Sequence, residues 1–166
     1  VKALSQDDRA KLRGLGVRFG AFHLFLPALL KPAATDMRLL LWWLQKHQSE
    51  NVGTPPANGL TSTPADTAKP DGFYAICGYR VCGKRAVRVD MLERLADLIR
   101  DRVFWKPRIP EEQRPAGAVE GGGFSVVSDM MSLVGCSGEE FEEILVSLGF
   151  RAQKKQVPKP VVVPPV

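Results

Sequence analysis

Residues 37–44 form an apolar block that limits the possible folds more than any other segment of this sequence. On a helical wheel of 3.6 residues per turn, its side chains are apolar in every direction except that of Arg38. A helix with this pattern has to be covered on more than one side. The cover comes either from the rest of the domain, which makes this a central core helix, or from a neighbouring domain that Trp42 and Trp43 contact.

Capping signals and apolar spacing predict several further helices. In a capping box, the first side chain accepts a hydrogen bond from a backbone N–H three residues on, and an acidic side chain there reaches back. Ser5 with Asp8, and Asp90 with Glu93, match this pattern. Together with periodic apolar residues and glycines just past the helix ends, these signals predict helices over residues 5–13, 37–44, 90–101, 125–134 and 137–148.

Short alternating segments between glycines predict strands. Residues 17–27 are rich in aromatic side chains around Gly20, which is typical of two short strands joined by a tight turn. Strands of a small antiparallel sheet are predicted at residues 74–76, 79–81 and 86–89. In this sheet, Val87 and Val89 are expected to face the core, with Arg88 on the opposite side. The predicted fold class is therefore α+β, mainly helical, with a small antiparallel sheet and two long loops.

Two segments poor in large apolar residues, 48–71 and 106–123, are predicted to be flexible surface loops. Residues 1–151 are expected to form one domain. Residues 152–166, rich in Pro, Val and Lys, are typical of an extended linker. Because the sequence opens at Val1 rather than Met and closes in this linker, both ends are expected to be cuts within a longer polypeptide.

The chain carries 23 Lys and Arg against 18 Asp and Glu, a net charge of +5 that suits an anionic partner without requiring one. Basic residues concentrate at 73–89, which has no acidic residue, whereas glutamates crowd residues 139–143. Such segregation is typical either of two solvated faces or of a surface that contacts phosphates. The candidate nucleic-acid contacts are Arg18, Arg80, Lys84, Arg85 and Arg88, with Lys31 as a weaker candidate.

Three cysteines, an odd number, predict reduced thiols rather than a disulfide framework. Cys77 and Cys82 have loose metal-ligand spacing, and His23 and His47 would complete a zinc set. The apolar neighbours of both cysteines and the lack of a second Cys pair favour buried thiols instead. We therefore expect no metal site, and a cytoplasmic protein without a membrane partner, because no apolar run approaches the roughly 18 residues of a membrane span.

Nucleotide hydrolysis requires a glycine-rich phosphate loop with a lysine and an acidic metal ligand. The sequence contains no G-x-x-x-x-G-K-[S/T], and the glycines at 121–123 have no such lysine. No catalytic residue and no cofactor are therefore predicted for this chain. The last two predicted helices have the outline of a helix-turn-helix, but the glutamates of the second would be repelled by a phosphate-lined groove.

Four sets of blocks, beginning with LGVRFG at residues 15–20, resemble the region that follows the motor domains of bacterial superfamily 2 helicases related to the mitochondrial degradosome RNA helicase. The blocks are residues 15–20 with 25–32, 71–74 with 78–80, 85–95, and 133–137 with 148–151. The resemblance implies an ATP-dependent RNA or DNA helicase. Its ATP and Mg²⁺ would be bound by two motor domains that precede this region.

For this chain, the resemblance implies a non-catalytic C-terminal accessory domain whose basic side chains contact single-stranded RNA or DNA. The alternative is a protein-interaction module that docks the helicase motor domains or recruits a partner nuclease. That module would use Trp42, Trp43 and the acidic residues 139–143. An independent enzyme is the third, least supported hypothesis.

Overall fold

The computed structural model describes residues 3–46, 53–107, 109 and 113–153 and confirms the α+β class. The α-helices are α1 Gln6–Gly14, α2 Pro32–Lys46, α3 Phe73–Ile76, α4 Val89–Val103, α5 Ser128–Val134 and α6 Gly138–Ser147. The strands are β1 Arg18–Phe19, β2 Leu24–Phe25, β3 Ser62–Pro64, β4 Tyr79–Cys82 and β5 Arg85–Arg88, and a 3-10 helix, Pro27–Leu30, precedes α2. The predicted linker lies outside the described residues from position 154 onward.

Strands β3, β5 and β4 form an antiparallel sheet in that order, and β1 pairs with β2 in a separate hairpin, as predicted. A two-residue turn, Gly83 and Lys84, joins β4 to β5. Gly83 has a φ of +64°, which suits the glycine that begins a type II′ turn. Strand β3 corrects the predicted loop at 48–71: its Ser-Thr-Pro sequence does not alternate, and proline is tolerated in it because β3 lies at the sheet edge.

The sheet separates two apolar clusters, and both of its faces are covered. The larger cluster joins Val87 to side chains of α4, α5 and α6, whereas Ala86 belongs to a smaller cluster with residues of α2 and α3. Successive side chains of a strand point to opposite faces, so Ala86 and Val87 are both fully buried. The prediction that Val87 and Val89 share one core face was therefore incomplete, since Val89 already begins α4.

Residues 74–76, predicted as a strand, form the single helical turn α3 instead. This turn places Phe73 and Cys77 four residues apart on the same side, both buried in the smaller cluster. The β-forming tendency of Tyr74 and Ile76 is thus overridden by packing. In contrast, α1 and α6 begin and end within one residue of the prediction, α5 begins at Ser128 instead of residue 125, and a glycine follows the end of both α5 and α6 as predicted.

Of the two predicted capping boxes, only the first provides a side-chain cap, and its Asp8 carboxylate accepts a hydrogen bond from the Ser5 hydroxyl rather than from the backbone. The Ser5 hydroxyl accepts a hydrogen bond from the Asp8 backbone N–H at 3.1 Å. Helix α4 instead begins at Val89, and its cap makes no side-chain hydrogen bond. Asp90 pairs with Arg88, and the carboxylate of Glu93 binds the turn between β1 and β2.

The cysteines are free thiols, and Cys77 and Cys82 belong to clusters on opposite sides of the sheet. His23 pairs with a carboxylate, and His47 lies outside the described residues. The zinc ligand set that the cysteine spacing allows is therefore not assembled by the residues that the structure describes. Within those same residues, no group of three or more His, Cys, Asp or Glu side chains could hold a metal ion.

We expect Cys77 and Cys82 to resist thiol reagents in the folded protein. Burial raises the pKa of Cys77 from 9.0 to about 11 and also raises that of Cys82. At pH 8, the reactive thiolate of Cys77 is then about 0.1% populated, compared with about 10% for a thiol whose pKa is 9.0. Labelling with Ellman's reagent should be much slower for these two thiols in the folded chain than in guanidinium. Reaction of folded Cys77 at the unfolded rate would contradict this expectation.

Candidate functional site

The β4–β5 hairpin carries four of the five predicted nucleic-acid contacts, but it does not gather them on one surface. Side chains alternate along each strand, so Arg80 and Arg85 lie on the face that packs against α6. Arg88 lies on the opposite face, and Lys84 is in the turn. The basic run is therefore divided by the sheet.

Arg85 is an internal anchor, with only 13% of its side chain exposed. Its guanidinium donates to the Ser62 hydroxyl at 2.8 and 3.0 Å and to the Glu140 carboxylate at 3.2 Å. The Ser62 hydroxyl in turn donates to the backbone carbonyl of Val134. Arg85 thereby joins β3 to the end of α5 and the start of α6, which leaves it little capacity for an external phosphate.

Arg80 and Arg88 are also engaged within the fold. Arg80 donates to the carbonyl oxygen of Ser147 at 2.9 Å, near the C-terminal end of α6, where a positive charge is favourable. Arg88 forms two hydrogen bonds with Asp90, at 2.6 and 3.0 Å. The bond to Asp90 raises the pKa of Arg88 above its usual value. Arg88 therefore serves the start of α4.

Lys84 remains the most exposed of the four, with 67% of its side chain accessible. Its ammonium lies 3.4 Å from Glu143, and its backbone N–H donates to the same carboxylate. That backbone bond is the main reason why the pKa of Glu143 is lowered. Glu140 and Glu143 thus bind the hairpin from α6, so this part of the predicted acidic face serves the domain's own packing.

Arg18 lies apart from the hairpin, in a cleft of about 480 Å³ between β1 and α4. Three carboxylates also line this cleft, those of Asp90, Glu93 and Asp97, so it has no excess of positive charge. Lys31 is exposed at the end of the 3-10 helix. The structure does not bring either residue into one surface with Lys84.

A groove of about 900 Å³ contains the part of the basic run that stays accessible. It lies beside β4, between the turn that joins β1 to β2 and residues 65–75. We call it the β4 groove. Its cations and aromatic rings are Lys69, Arg80, Lys84, Phe22, Tyr74 and Tyr79, and Asp66 and Asp71 also line it.

The second candidate site is on α2, whose residues 37–44 are apolar in every direction except that of Arg38 but are buried on one side only. Thr35, Leu39 and Trp43 face the core and are buried. The opposite side exposes four apolar side chains, each by 47–59%, which we call the α2 apolar face: Met37, Leu40, Leu41 and Leu44. They are spaced i, i+3, i+4, i+7 and so form a single stripe.

No helix in the described part of the chain has the length and apolar character that crossing a membrane requires.

The structure places the two tryptophans on the inner side of this helix. Trp43 is only 7% exposed, and Trp42 is half-buried against the smaller cluster, with its ring centroid 6.1 Å from that of Trp43. The predicted interface therefore shifts from Trp42 and Trp43 to the α2 apolar face. Periodicity showed that more than one side needs cover, but it could not show which side this domain covers itself.

Sequence reasoning also missed the role of Glu93, which is buried on α4 with 7% exposure. Its carboxylate accepts hydrogen bonds from the backbone N–H groups of Ala21, Phe22 and His23 and lies 2.8 Å from His23 Nδ1. A Cβ atom at Gly20 would collide with this carboxylate. Glu93 thereby fixes the β1–β2 turn, one wall of the β4 groove, against α4.

No protein-family model, curated protein or solved structure matches this chain. The resemblance to helicase C-terminal regions therefore stays a prediction, and the geometry of the two surfaces carries the functional proposals.

Proposed function

We propose that this chain is a non-catalytic accessory domain of an ATP-dependent helicase and that it docks the motor domains. The observation that carries the docking role is the α2 apolar face. Four large side chains in one exposed stripe are typical of a surface that another protein covers. Covering the exposed half of each contributes about 1 kcal/mol, so the stripe offers several kcal/mol to an interface.

The charges favour docking over nucleic-acid binding as the main role. Arg85 and Arg88, two of the predicted phosphate contacts, are held by Glu140 and Asp90 inside the domain. An arginine that breaks such a bond to bind a phosphate leaves a partly buried carboxylate without its partner, which is unfavourable. The α2 apolar face has no comparable internal role to give up.

The helicase assignment can be tested by reading the gene sequence that encodes this chain. We expect the reading frame that encodes this chain to encode, upstream of Val1, a phosphate loop with its lysine and an acidic metal-binding motif. A frame that lacks both contradicts the helicase assignment but leaves the docking role open.

The docking role predicts a loss of affinity when the α2 apolar face is made polar. In the double variant Leu40→Gln, Leu44→Gln, about 2 kcal/mol of apolar contact is lost, and affinity for the purified motor domains should fall about 30-fold. Isothermal titration calorimetry measures the change. The control is Val126→Gln, Val146→Gln, which alters two comparably exposed apolar side chains elsewhere. Equal affinities for the two double variants would rule out docking through α2.

A second function, contact with single-stranded RNA or DNA, is favoured by the content of the β4 groove. Single strands are bound by cations that follow the backbone and by aromatic rings on which bases stack. The groove offers Lys69, Arg80 and Lys84 as cations, and Phe22 and Tyr74 as rings. Of the five residues predicted from the sequence, only Arg80 and Lys84 line it.

We expect Lys69→Gln, Lys84→Gln to weaken binding of a fluorescent oligouridine. If each lysine contacts one phosphate, the slope of log K against log salt should fall in magnitude by about 1.4. Arg18→Gln is the matched control, because it removes a cation from a separate cleft. Fluorescence anisotropy over a salt series measures both. An unchanged slope, or an equal effect of the control, contradicts binding in the groove. Charge reversal at Arg85 or Arg88 would not test binding, since it would disrupt internal ion pairs.

A further inference from the structure

Strand β4 is an edge strand, and its outward backbone groups can be identified. The Val89 backbone N–H donates to the Gly78 carbonyl at 3.0 Å, so residues 78, 80 and 82 form the hydrogen-bonded pairs with β5. The N–H and C=O groups of Tyr79 and Val81 therefore point away from the sheet. Among the described residues, no further backbone hydrogen bond reaches either of them.

Both residues line the β4 groove, where Val81 is about half exposed and Tyr79 is 7% exposed. An edge with free backbone groups is a template for an extended segment, which pairs with it as an added strand. Such a segment needs N–H donors on one side only, at alternate residues. Its own outer edge stays in solvent.

We propose that residues 157–163 of this chain occupy the β4 groove as that added strand. Their sequence is Val-Pro-Lys-Pro-Val-Val-Val. Both prolines, Pro158 and Pro160, are at even positions, and the next, Pro164, is too. In a strand, alternate N–H groups point to opposite sides, so these prolines remove donors from one side only. The other side keeps every donor at Lys159, Val161 and Val163, and valine favours strands.

The described chain ends close enough for this segment to reach. The carbonyl oxygen of Ser147 accepts a hydrogen bond from Arg80 of β4. The ring centroid of Phe150 lies 6.3 Å from that of Phe22, which lines the groove. Val161 lies eight positions after Gln153, a stretch that spans at most about 29 Å. Strand β4 itself is only about 13 Å long. The tail therefore reaches β4 with chain to spare.

A second copy of the chain is the competing occupant of this edge. In the register centred on Arg80, two β4 strands would place the two Arg80 side chains directly opposite each other, which is unfavourable. In the tail, the residue at the corresponding position is the uncharged Val162, which lies between Val161 and Val163, whose backbone N–H groups point toward β4. Linked to the same chain, it also acts at an effective concentration in the millimolar range.

The side-specific pattern of donors gives a matched pair of variants. Val161→Pro removes an inward N–H and places a ring against β4, whereas Val162→Pro removes only an outward N–H. In the unaltered chain and in Val162→Pro, we expect the amides of Tyr79 and Val81 to exchange hydrogen at least about tenfold more slowly than in Val161→Pro. Exchange followed by NMR measures this, and the Val87 amide, inside the sheet, should be equally protected in all three.

Equal exchange in the two proline variants, or fast exchange at Tyr79 and Val81 in the unaltered chain, overturns the proposal. Light scattering accompanies each measurement. Protection that appears only with dimer formation assigns the edge to a second copy and also overturns it. The test uses neither nucleic acid nor motor domains, so its failure leaves docking through α2 untouched. A tail seated in the β4 groove would compete there with the single strand of the second proposed function.

Discussion

We expect replacement of Glu93 by glutamine to lower the free energy of unfolding by about 3 kcal/mol. The Glu93 carboxylate is buried and accepts bonds from three backbone N–H groups and from the His23 ring. Hydrogen bonds to a charged group contribute about 1.5–3 kcal/mol each, and the glutamine amide would present an NH₂ group to donors that need an acceptor. Guanidinium unfolding at pH 7 measures the loss as a shift of the midpoint at constant slope.

The matched control is Glu120→Gln, because Glu120 is 87% exposed and its ion pair to Arg114 is long, at 3.6 Å. Its effect should stay within about 0.5 kcal/mol. Gly20→Ala offers a second check, since the added methyl group collides with the same carboxylate. Both substitutions break the same interaction. The loss of unfolding free energy in the double variant should therefore be smaller than the sum of the two single losses. Additive losses, or a loss below about 1 kcal/mol for Glu93→Gln, would contradict the anchor role.

Glu93 also shows how far local sequence signals reach. Its position three residues after Asp90 matches a capping box, but its partners lie about 70 residues earlier in the chain. The capping-box pattern considers only backbone N–H groups that are close in sequence, whereas the fold brings the N–H groups of Ala21, Phe22 and His23 to this carboxylate. Where the signal is local and has no distant competitor, as in the Ser5 cap of α1, the prediction is confirmed.

The basic run shows the same limit for charge. The sequence correctly predicts that Arg80, Lys84, Arg85 and Arg88 belong to one hairpin, because glycines and alternating residues mark its strands. It does not show that the acids of α6, more than 50 residues later, meet two of these side chains. Net charge is a property of composition, but whether a charge is accessible depends on tertiary contacts.

The second large expected effect on stability concerns α2, where the adjacent residues Leu39 and Leu40 are buried and exposed, respectively. Leu39→Ala leaves a cavity in the smaller cluster and should cost about 3 kcal/mol of unfolding free energy, whereas Leu40→Ala should stay within about 0.5 kcal/mol. Denaturant unfolding followed by the fluorescence of Trp42 and Trp43 measures both. For affinity toward the motor domains, we expect the opposite order of effects, since the proposed interface includes Leu40 and not Leu39. If Leu40→Ala destabilises the isolated monomer as strongly as Leu39→Ala, this side of α2 is already covered and is not free for docking.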